Sequence, residues 1–228
     1  YMKSIKKYGV LAVALVTVFA LASAGTAFAT NSWANFHWAR TSNPFTLMLG
    51  DNVSGAWDSS LAAASSDWSV STVLDTTVVA TKSNKSCRAT SGRVEVCNRT
   101  YGWNGWLGLA QVWVYATGHI AQGTVKLNDT YFNLSTYNNP NERRHVMCQE
   151  IGHTLGLDHQ SEDGSSQNTC MDYFSNTGAN ATSILSTKPN QHDYDQLGTI
   201  YAHLDNTTTL SLSADDGGKG RPAIAGQD

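Results

Sequence analysis

The sequence predicts a mixed α+β domain in which strands come mostly first and the principal helices follow. Runs rich in β-branched and aromatic residues at 70–80, 107–115 and 120–127 are typical of strands. Later in the chain, residues 141–156 carry a motif that occurs on helices, and residues 190–203 have apolar side chains at helical spacing. With 228 residues, 41% of them hydrophobic, the chain is long enough for one globular domain with a sizeable core.

The remaining elements follow in chain order. Residues 35–49 alternate loosely between apolar and polar side chains, which predicts a strand somewhere within them. Four apolar residues then recur at helical spacing and predict an amphipathic helix with its apolar face in the core: Trp57, Leu61, Ala64 and Trp68. A turn containing Gly118 separates the runs 107–115 and 120–127, so we expect these two strands to pair.

The first 29 residues have the pattern of a secretory signal peptide. Lys3, Lys6 and Lys7 precede an apolar run at about 10–21, and the alanines of Ala27-Phe28-Ala29 fit a cleavage site. An N-terminal membrane anchor is the alternative, but the apolar run is short for a span of about 20 residues. We therefore expect cleavage, no stable membrane anchor afterwards, and a secreted, extracellular protein.

Beyond the signal peptide, we expect one domain at 30–205 and a tail at 206–228. The tail is rich in Thr, Ser, Asp and Gly and is expected to be disordered. The formal net charge is −3 and the chain has no basic run, which argues against a nucleic-acid partner. We expect a monomer.

All four cysteines follow the signal peptide, and an even count in an exported chain predicts two disulfides. Three connectivities are open, and proximity in sequence favours Cys87–Cys97 and Cys148–Cys170. Thiolate zinc ligands are the alternative, but these usually come as C-x-x-C pairs, and the sequence contains none.

The segment 149–159 carries the chemistry. It matches H-E-x-x-H-x-x-G-x-x-H except that Gln149 replaces the first histidine. Residue 149 shares a helix face with His153, where a zinc ion can bind, and Glu150 on the flank can act as general base toward a water. Gly156 can end the helix in a left-handed conformation, which lets His159 turn back toward the metal. Three protein ligands and an open position define a catalytic zinc site.

This run resembles the metzincin clan of zinc endopeptidases, and most of all its matrixin-type members. Met171, about a dozen residues after His159, resembles the clan's methionine turn beneath the zinc. Tyr173 has the spacing of a tyrosine that reaches the metal or the reaction oxyanion in some members; a packed core tyrosine is the alternative.

The resemblance covers about residues 35–204 and implies a zincin fold. Such a fold has a twisted, mainly parallel sheet with an antiparallel edge strand, an active-site helix and a C-terminal helix. A peptide or protein substrate would pair with the edge strand, which we expect within residues 118–127. The implied activity is Zn²⁺-dependent hydrolysis of peptide bonds. A catalytically impaired, secreted peptide-binding protein on the same fold is the alternative, and structural Ca²⁺ near Asp163 is a further open point.

Gln149 leaves the third zinc ligand open. Its amide oxygen can bind zinc, but imidazole and carboxylate are the usual ligands, so binding would be weaker. His145 is about two turns from His153, or about 12 Å along the axis, too far for both to bind one ion on a regular helix. The remaining candidates are remote in sequence: His119, His192 and His203. The presence of Glu150 favours a working enzyme over a site that has lost catalysis.

Overall fold

The computed structural model describes residues 31–81, 84–211 and 221–227. The expected signal peptide at 1–29 lies outside the described residues. None of the described helices combines the length and the hydropathy that crossing a membrane requires. In chain order the elements are β1 (Phe45–Asn52), α1 (Gly55–Trp68), β2 (Leu74–Ala80), β3 (Arg93–Arg99), β4 (Gly108–Val114), β5 (Ile120–Asn128), α2 (Asp129–Phe132), α3 (Pro140–Thr154), a 3-10 turn (Gly178–Asn180), α4 (Gln191–Ile200) and β6 (Arg221–Gln227).

The sheet confirms the mixed α+β class with mainly parallel pairing. Its six strands lie in the order β2-β1-β3-β5-β4-β6. The pairs β1–β2, β1–β3 and β3–β5 are parallel, whereas β4 is antiparallel to both β5 and β6. The expected adjacency of the runs 107–115 and 120–127 is therefore confirmed as the β4–β5 pair.

Two expectations about the sheet edge are wrong. Residues 118–127 were expected to hold the edge strand, but β5 lies between β3 and β4. The tail 206–228 was expected to be disordered, yet Arg221–Gln227 form β6 and pair with β4; residues 212–220 and 228 lie outside the described residues, and for them the expectation stays a prediction. Both outcomes have one physical cause: the place of a strand in a sheet depends on which remote strands pair with it, and local sequence does not reveal these partners. A short run of mixed polarity becomes a strand when a neighbouring strand offers unpaired backbone groups, and that neighbour is remote in sequence.

Helices α1 and α3 pack on each other and on the sheet, α1 against β2 and α3 against β4 and β5. The four apolar residues expected to face the core from α1 are all buried. Two tryptophan side chains hold α3 in place. The Trp68 indole N–H donates to the Cys148 carbonyl at 3.0 Å, and the Trp38 indole N–H donates to the Thr154 carbonyl at 2.8 Å. The position of α3 is thus fixed near its middle and at its last residue.

Both expected disulfides are confirmed. Cys87 is bonded to Cys97, and Cys148 is bonded to Cys170, with Cα–Cα distances of 6.0 Å and 5.9 Å. The second bond joins α3 to the segment that carries Met171. Within the described residues there is no free cysteine that could act as a thiolate ligand.

Candidate metal centre

Helix α3 supplies the central residues, and its two ends are well defined. Asn139 caps the first turn by accepting the Glu142 N–H at 2.9 Å, and Pro140 begins the helix, where no N–H is needed. At the other end Gly156 has φ +98°, and its N–H donates to the His153 carbonyl at 3.0 Å. The Leu157 N–H donates to the Gly152 carbonyl at 3.3 Å, which completes a Schellman motif. The left-handed glycine expected from the sequence is confirmed.

The turn after Gly156 brings His159 against His153. Their Nε2 atoms lie 3.0 Å apart, and the rings are nearly perpendicular, at 87°. His153 Nδ1 lies 2.9 Å from the Leu157 carbonyl oxygen, and His159 Nδ1 lies 3.3 Å from a Glu162 carboxylate oxygen. Because these oxygens can only accept, the tautomer that satisfies both contacts has the proton of each histidine on Nδ1. The two Nε2 lone pairs therefore point toward the same small region.

The environment keeps both imidazoles neutral. Burial, together with the neighbouring His159, lowers the pKa of His153 to about 3. Burial also lowers the pKa of His159 to about 4, although Asp158 acts in the opposite direction. Two neutral rings with facing lone pairs repel each other unless a cation binds between them, and neutral imidazole is the form that ligates metals.

Gln149 also lies on α3, one turn before His153, and its side chain is completely buried. Its amide nitrogen donates to the Asp172 carbonyl at 2.9 Å. Its amide oxygen, Oε1, has no hydrogen-bond partner among the described residues. A buried acceptor left without a donor costs about 1–3 kcal/mol, and a bound cation would satisfy it. The residues present at this site thus fit a metal ion.

His145 is occupied elsewhere. Its Nδ1 lies 3.1 Å from Asn176 Oδ1, and its Nε2 lies 3.0 Å from the Asp172 carbonyl oxygen. With both ring nitrogens in hydrogen bonds, this side chain offers no lone pair to a metal in this arrangement. This agrees with its exclusion on helix geometry.

The other candidate ligands lie on segments other than α3 and the turn that follows it. His119 and His203 contact Asp205, and His203 also contacts His37. His192 lies near the start of α4. Asp163, near which structural calcium is an open point, is exposed, and its Oδ1 accepts hydrogen bonds from the N–H and hydroxyl of Ser165.

Glu150 is completely buried between α3 and the start of β4. A side chain at Gly108 would overlap it, because a Cβ atom built there would lie 2.6 Å from Glu150 Cγ. Gly108 thus gives the carboxylate its space, a requirement that no sequence motif indicated. On the other side of α3, Met171 is buried, and a Cβ atom at Gly152 would lie 2.5 Å from its sulfur. Met171 therefore packs directly against α3 at Gly152.

Tyr173 packs on His159, with ring centroids 4.4 Å apart at 67°. Its backbone N–H donates to the Ser161 carbonyl at 3.1 Å, which anchors the segment after Met171. Beside Tyr173 there is a pocket of about 330 Å³. Its wall is mainly apolar and includes Trp106, Leu107, Val146 and Phe174.

Neither a protein-family model nor a curated protein sequence matches the chain. Among solved structures, myroilysin matches with a TM-score of 0.42 and 12% identity, over 72% of this chain and 82% of that chain. High choriolytic enzyme 1, a hatching enzyme zinc-protease from the medaka fish Oryzias latipes, matches with a TM-score of 0.41 and 12% identity, over 73% and 94%. At these TM-scores the likeness supports no functional assignment, and the chemistry of the site rests on its own geometry.

Proposed function

We propose that this chain is a secreted, zinc-dependent endopeptidase of the metzincin clan, similar to its matrixin-type members, with a catalytic domain at 30–205 that acts as a monomer. The observation that carries the proposal is the pair of facing Nε2 atoms of His153 and His159, 3.0 Å apart, each ring with an oxygen acceptor at its Nδ1. The completely buried carboxylate of Glu150 on the same helix supplies the base that hydrolysis needs.

His153, His159 and the amide oxygen of Gln149 would hold the zinc ion. The hydrogen bond from Gln149 to the Asp172 carbonyl fixes the orientation of the amide, so that nitrogen donates and oxygen is left for the metal. Zinc bound there would polarise the scissile carbonyl and lower the pKa of a water molecule. Because a neutral amide oxygen is a poorer zinc ligand than imidazole, we expect weaker metal binding than at a three-histidine site.

The remaining steps belong to the protein. Glu150 takes a proton from the attacking water as its oxygen bonds to the carbonyl carbon of the peptide. Glu150 then delivers that proton to the amide nitrogen, and the C–N bond breaks to leave an amine and a carboxylic acid, which loses its remaining proton to solvent. Tyr173, whose ring packs against that of His159, would donate a hydrogen bond from its hydroxyl to the oxyanion that forms between these steps.

The pocket beside Tyr173 suggests which substrates are cleaved. Its volume of about 330 Å³ and its aromatic wall favour a bulky apolar side chain next to the scissile bond. A peptide series that varies only this residue measures the preference. We expect the highest kcat/KM for large apolar residues and the lowest for Asp or Glu, since Glu142 also lines the pocket.

The central experiment measures bound zinc and peptide hydrolysis for the wild type, E150Q and D58N. E150Q removes the base and should lower kcat by at least about 10²-fold while zinc content stays unchanged. D58N makes the same carboxylate-to-amide change at an exposed position of α1 and should match the wild type. Protein that binds peptides but stays inactive with added zinc would refute the enzyme and support the peptide-binding alternative.

A second experiment addresses the third ligand. Q149H restores the imidazole of the usual motif and should tighten zinc binding, and Q149L should weaken it. Zinc titration against a competing chelator measures both affinities. Equal affinities for Q149L and the wild type would place the third ligand elsewhere without refuting a zinc site at His153 and His159.

A further inference from the structure

A second group of histidines lies away from the α3 site, where no motif led us to expect one. His37 lies before β1, and His203 and Asp205 follow α4. His37 Nε2 is 3.3 Å from His203 Nε2, and these two nitrogens are 3.6 Å and 3.5 Å from Asp205 Oδ1. Within the described part of the chain, this is the one group of three His, Cys, Asp or Glu residues whose ligand atoms all lie within 4.8 Å of one another.

The geometry points to a second metal site: we propose that His37 Nε2, His203 Nε2 and Asp205 Oδ1 bind a divalent transition-metal ion, with zinc the preferred ion. A tetrahedral zinc ion with bonds of about 2.0–2.1 Å places its ligand atoms about 3.3–3.4 Å apart. The three edges of this triangle, at 3.3, 3.5 and 3.6 Å, match that spacing within 0.2–0.3 Å. Two imidazoles and one carboxylate are also a common zinc ligand set.

The outer contacts orient these ligands. His37 Nδ1 lies 2.8 Å from the Asn35 carbonyl oxygen, which only accepts, so the proton is on Nδ1 and the Nε2 lone pair faces the site. Asp205 Oδ2 is held by the Arg40 guanidinium at 2.7 Å and by the Arg40 backbone N–H at 3.1 Å. These bonds fix the carboxylate plane and leave Oδ1 for the metal.

His119 acts on the carboxylate rather than on the ion. Its Nε2 lies 3.1 Å from Asp205 Oδ1, and its Nδ1 lies 2.9 Å from the Thr117 hydroxyl, which can donate to it. In that arrangement His119 donates its Nε2–H to Asp205. The fourth metal position is left for water, because the His203 side chain is 54% exposed.

The predicted role is structural. The ion would join the segment before β1 to the segment after α4. Its ligands His37 and His203 are 166 positions apart in the sequence. The segment before β1 also contacts the end of α3, since the Trp33 N–H donates to the Gly156 carbonyl at 2.8 Å. Metal binding at this site would therefore support the turn that positions His159.

The test uses zinc content per chain, measured by mass spectrometry after dialysis, in the wild type and three variants. The wild type should bind two zinc ions, and H153A/H159A should retain one. H203Q, at the half-exposed ligand, should lose one ion and keep peptide hydrolysis measurable. H192Q, a histidine of α4 outside both sites, should retain both ions.

Thermal unfolding of H153A/H159A provides the second readout. Added zinc should raise its midpoint, and the shift should vanish when H203Q or D205N is added. The inference fails if folded H153A/H159A binds no zinc, or if its zinc survives H203Q and D205N. In either case His37, His119 and His203 form a polar cluster around Asp205 without a metal ion. Because this experiment omits the α3 ligands, its outcome is independent of whether the proposed peptidase is active.

Discussion

The sharpest perturbation of the α3 site is Gly108→Ala, which adds one methyl group between β4 and α3. A Cβ atom at Gly108 would lie 2.6 Å from Glu150 Cγ and 2.6 Å from Val146 Cγ1. Carbon atoms in contact normally lie about 3.5–4.0 Å apart, so one side must shift by about 1 Å. Strand β4 is paired on both sides, and α3 is held by Trp68 and Trp38, so the Glu150 side chain is the part that can move.

A displacement of about 1 Å at a catalytic group lowers the rate by about 10²-fold. For G108A we therefore expect kcat/KM to fall by about 10²-fold, equivalent to about 2.7 kcal/mol of transition-state stabilisation. Overpacking should also lower the free energy of unfolding by about 1–3 kcal/mol. Zinc content should not change, because the atoms nearest to the added methyl group belong to Glu150 and Val146 and not to His153 or His159.

The assay compares kcat/KM, zinc content and thermal unfolding of G108A with those of the wild type and of Gly198→Ala. A Cβ atom at Gly198, in α4, would meet nothing within 4 Å, and alanine favours a helix, so this control should be as active and at least as stable. Folded G108A with kcat/KM within about twofold of the wild type would refute the placement of Glu150 as the base, because so tight an overlap must move it.

Further predictions concern the turn after α3, the disulfides and alkaline pH. Gly156→Ala should lower the free energy of unfolding in urea by at least about 1–3 kcal/mol, since φ is +98° and the methyl group would overlap the Phe36 carbonyl oxygen. Gly164→Ala is the control, because φ is +78° there but the methyl group meets open space. Its loss of stability should therefore report the backbone strain without the overlap. Replacing Cys148 and Cys170 by Ser should lower the free energy of unfolding by about 3 kcal/mol, because the bond closes a loop with a separation of 22. Calorimetry would measure this loss, and an unchanged unfolding midpoint would contradict it. Burial, with Asp67 and Asp193, raises the pKa of Tyr194 from 10.0 to about 12. The unfolded chain loses this proton first, so stability should fall as pH rises through this range, and Tyr194→Phe should flatten that fall in a denaturation series.

The features that the sequence predicted correctly depend on neighbours close in the chain. At the end of α3 the Gly156 N–H bonds three residues back and the Leu157 N–H bonds five residues back, and the apolar face of α1 follows from helical spacing. Both disulfides join cysteines that are close in sequence. Local spacing also suggested that residues 149–159 would bring His153 and His159 together.

The features that the sequence missed depend on remote partners. The Gln149 amide is oriented by the Asp172 carbonyl, 23 residues away, and a backbone carbonyl leaves no mark in a sequence. His37 and Asp205 were not singled out, because their partners come from both ends of the domain. The spacing of His203 and Asp205, two residues apart, was the only local signal. Strand β6 was missed because its ladder partner, β4, lies about a hundred residues earlier.

Strand β6 occupies the edge of β4 and would compete with any peptide that pairs with β4 as an added strand. It is paired with β4 from Leu109 to Val114, beside the Glu150 carboxylate. A tethered segment competes at an effective concentration in about the millimolar range, so a free peptide must exceed that level or bind β4 much more tightly. The chain's own C-terminal residues would thus act as a built-in competitive inhibitor. Ending the chain at residue 211 should lower KM and leave kcat unchanged, whereas an unchanged KM would mean that substrate binds without displacing β6.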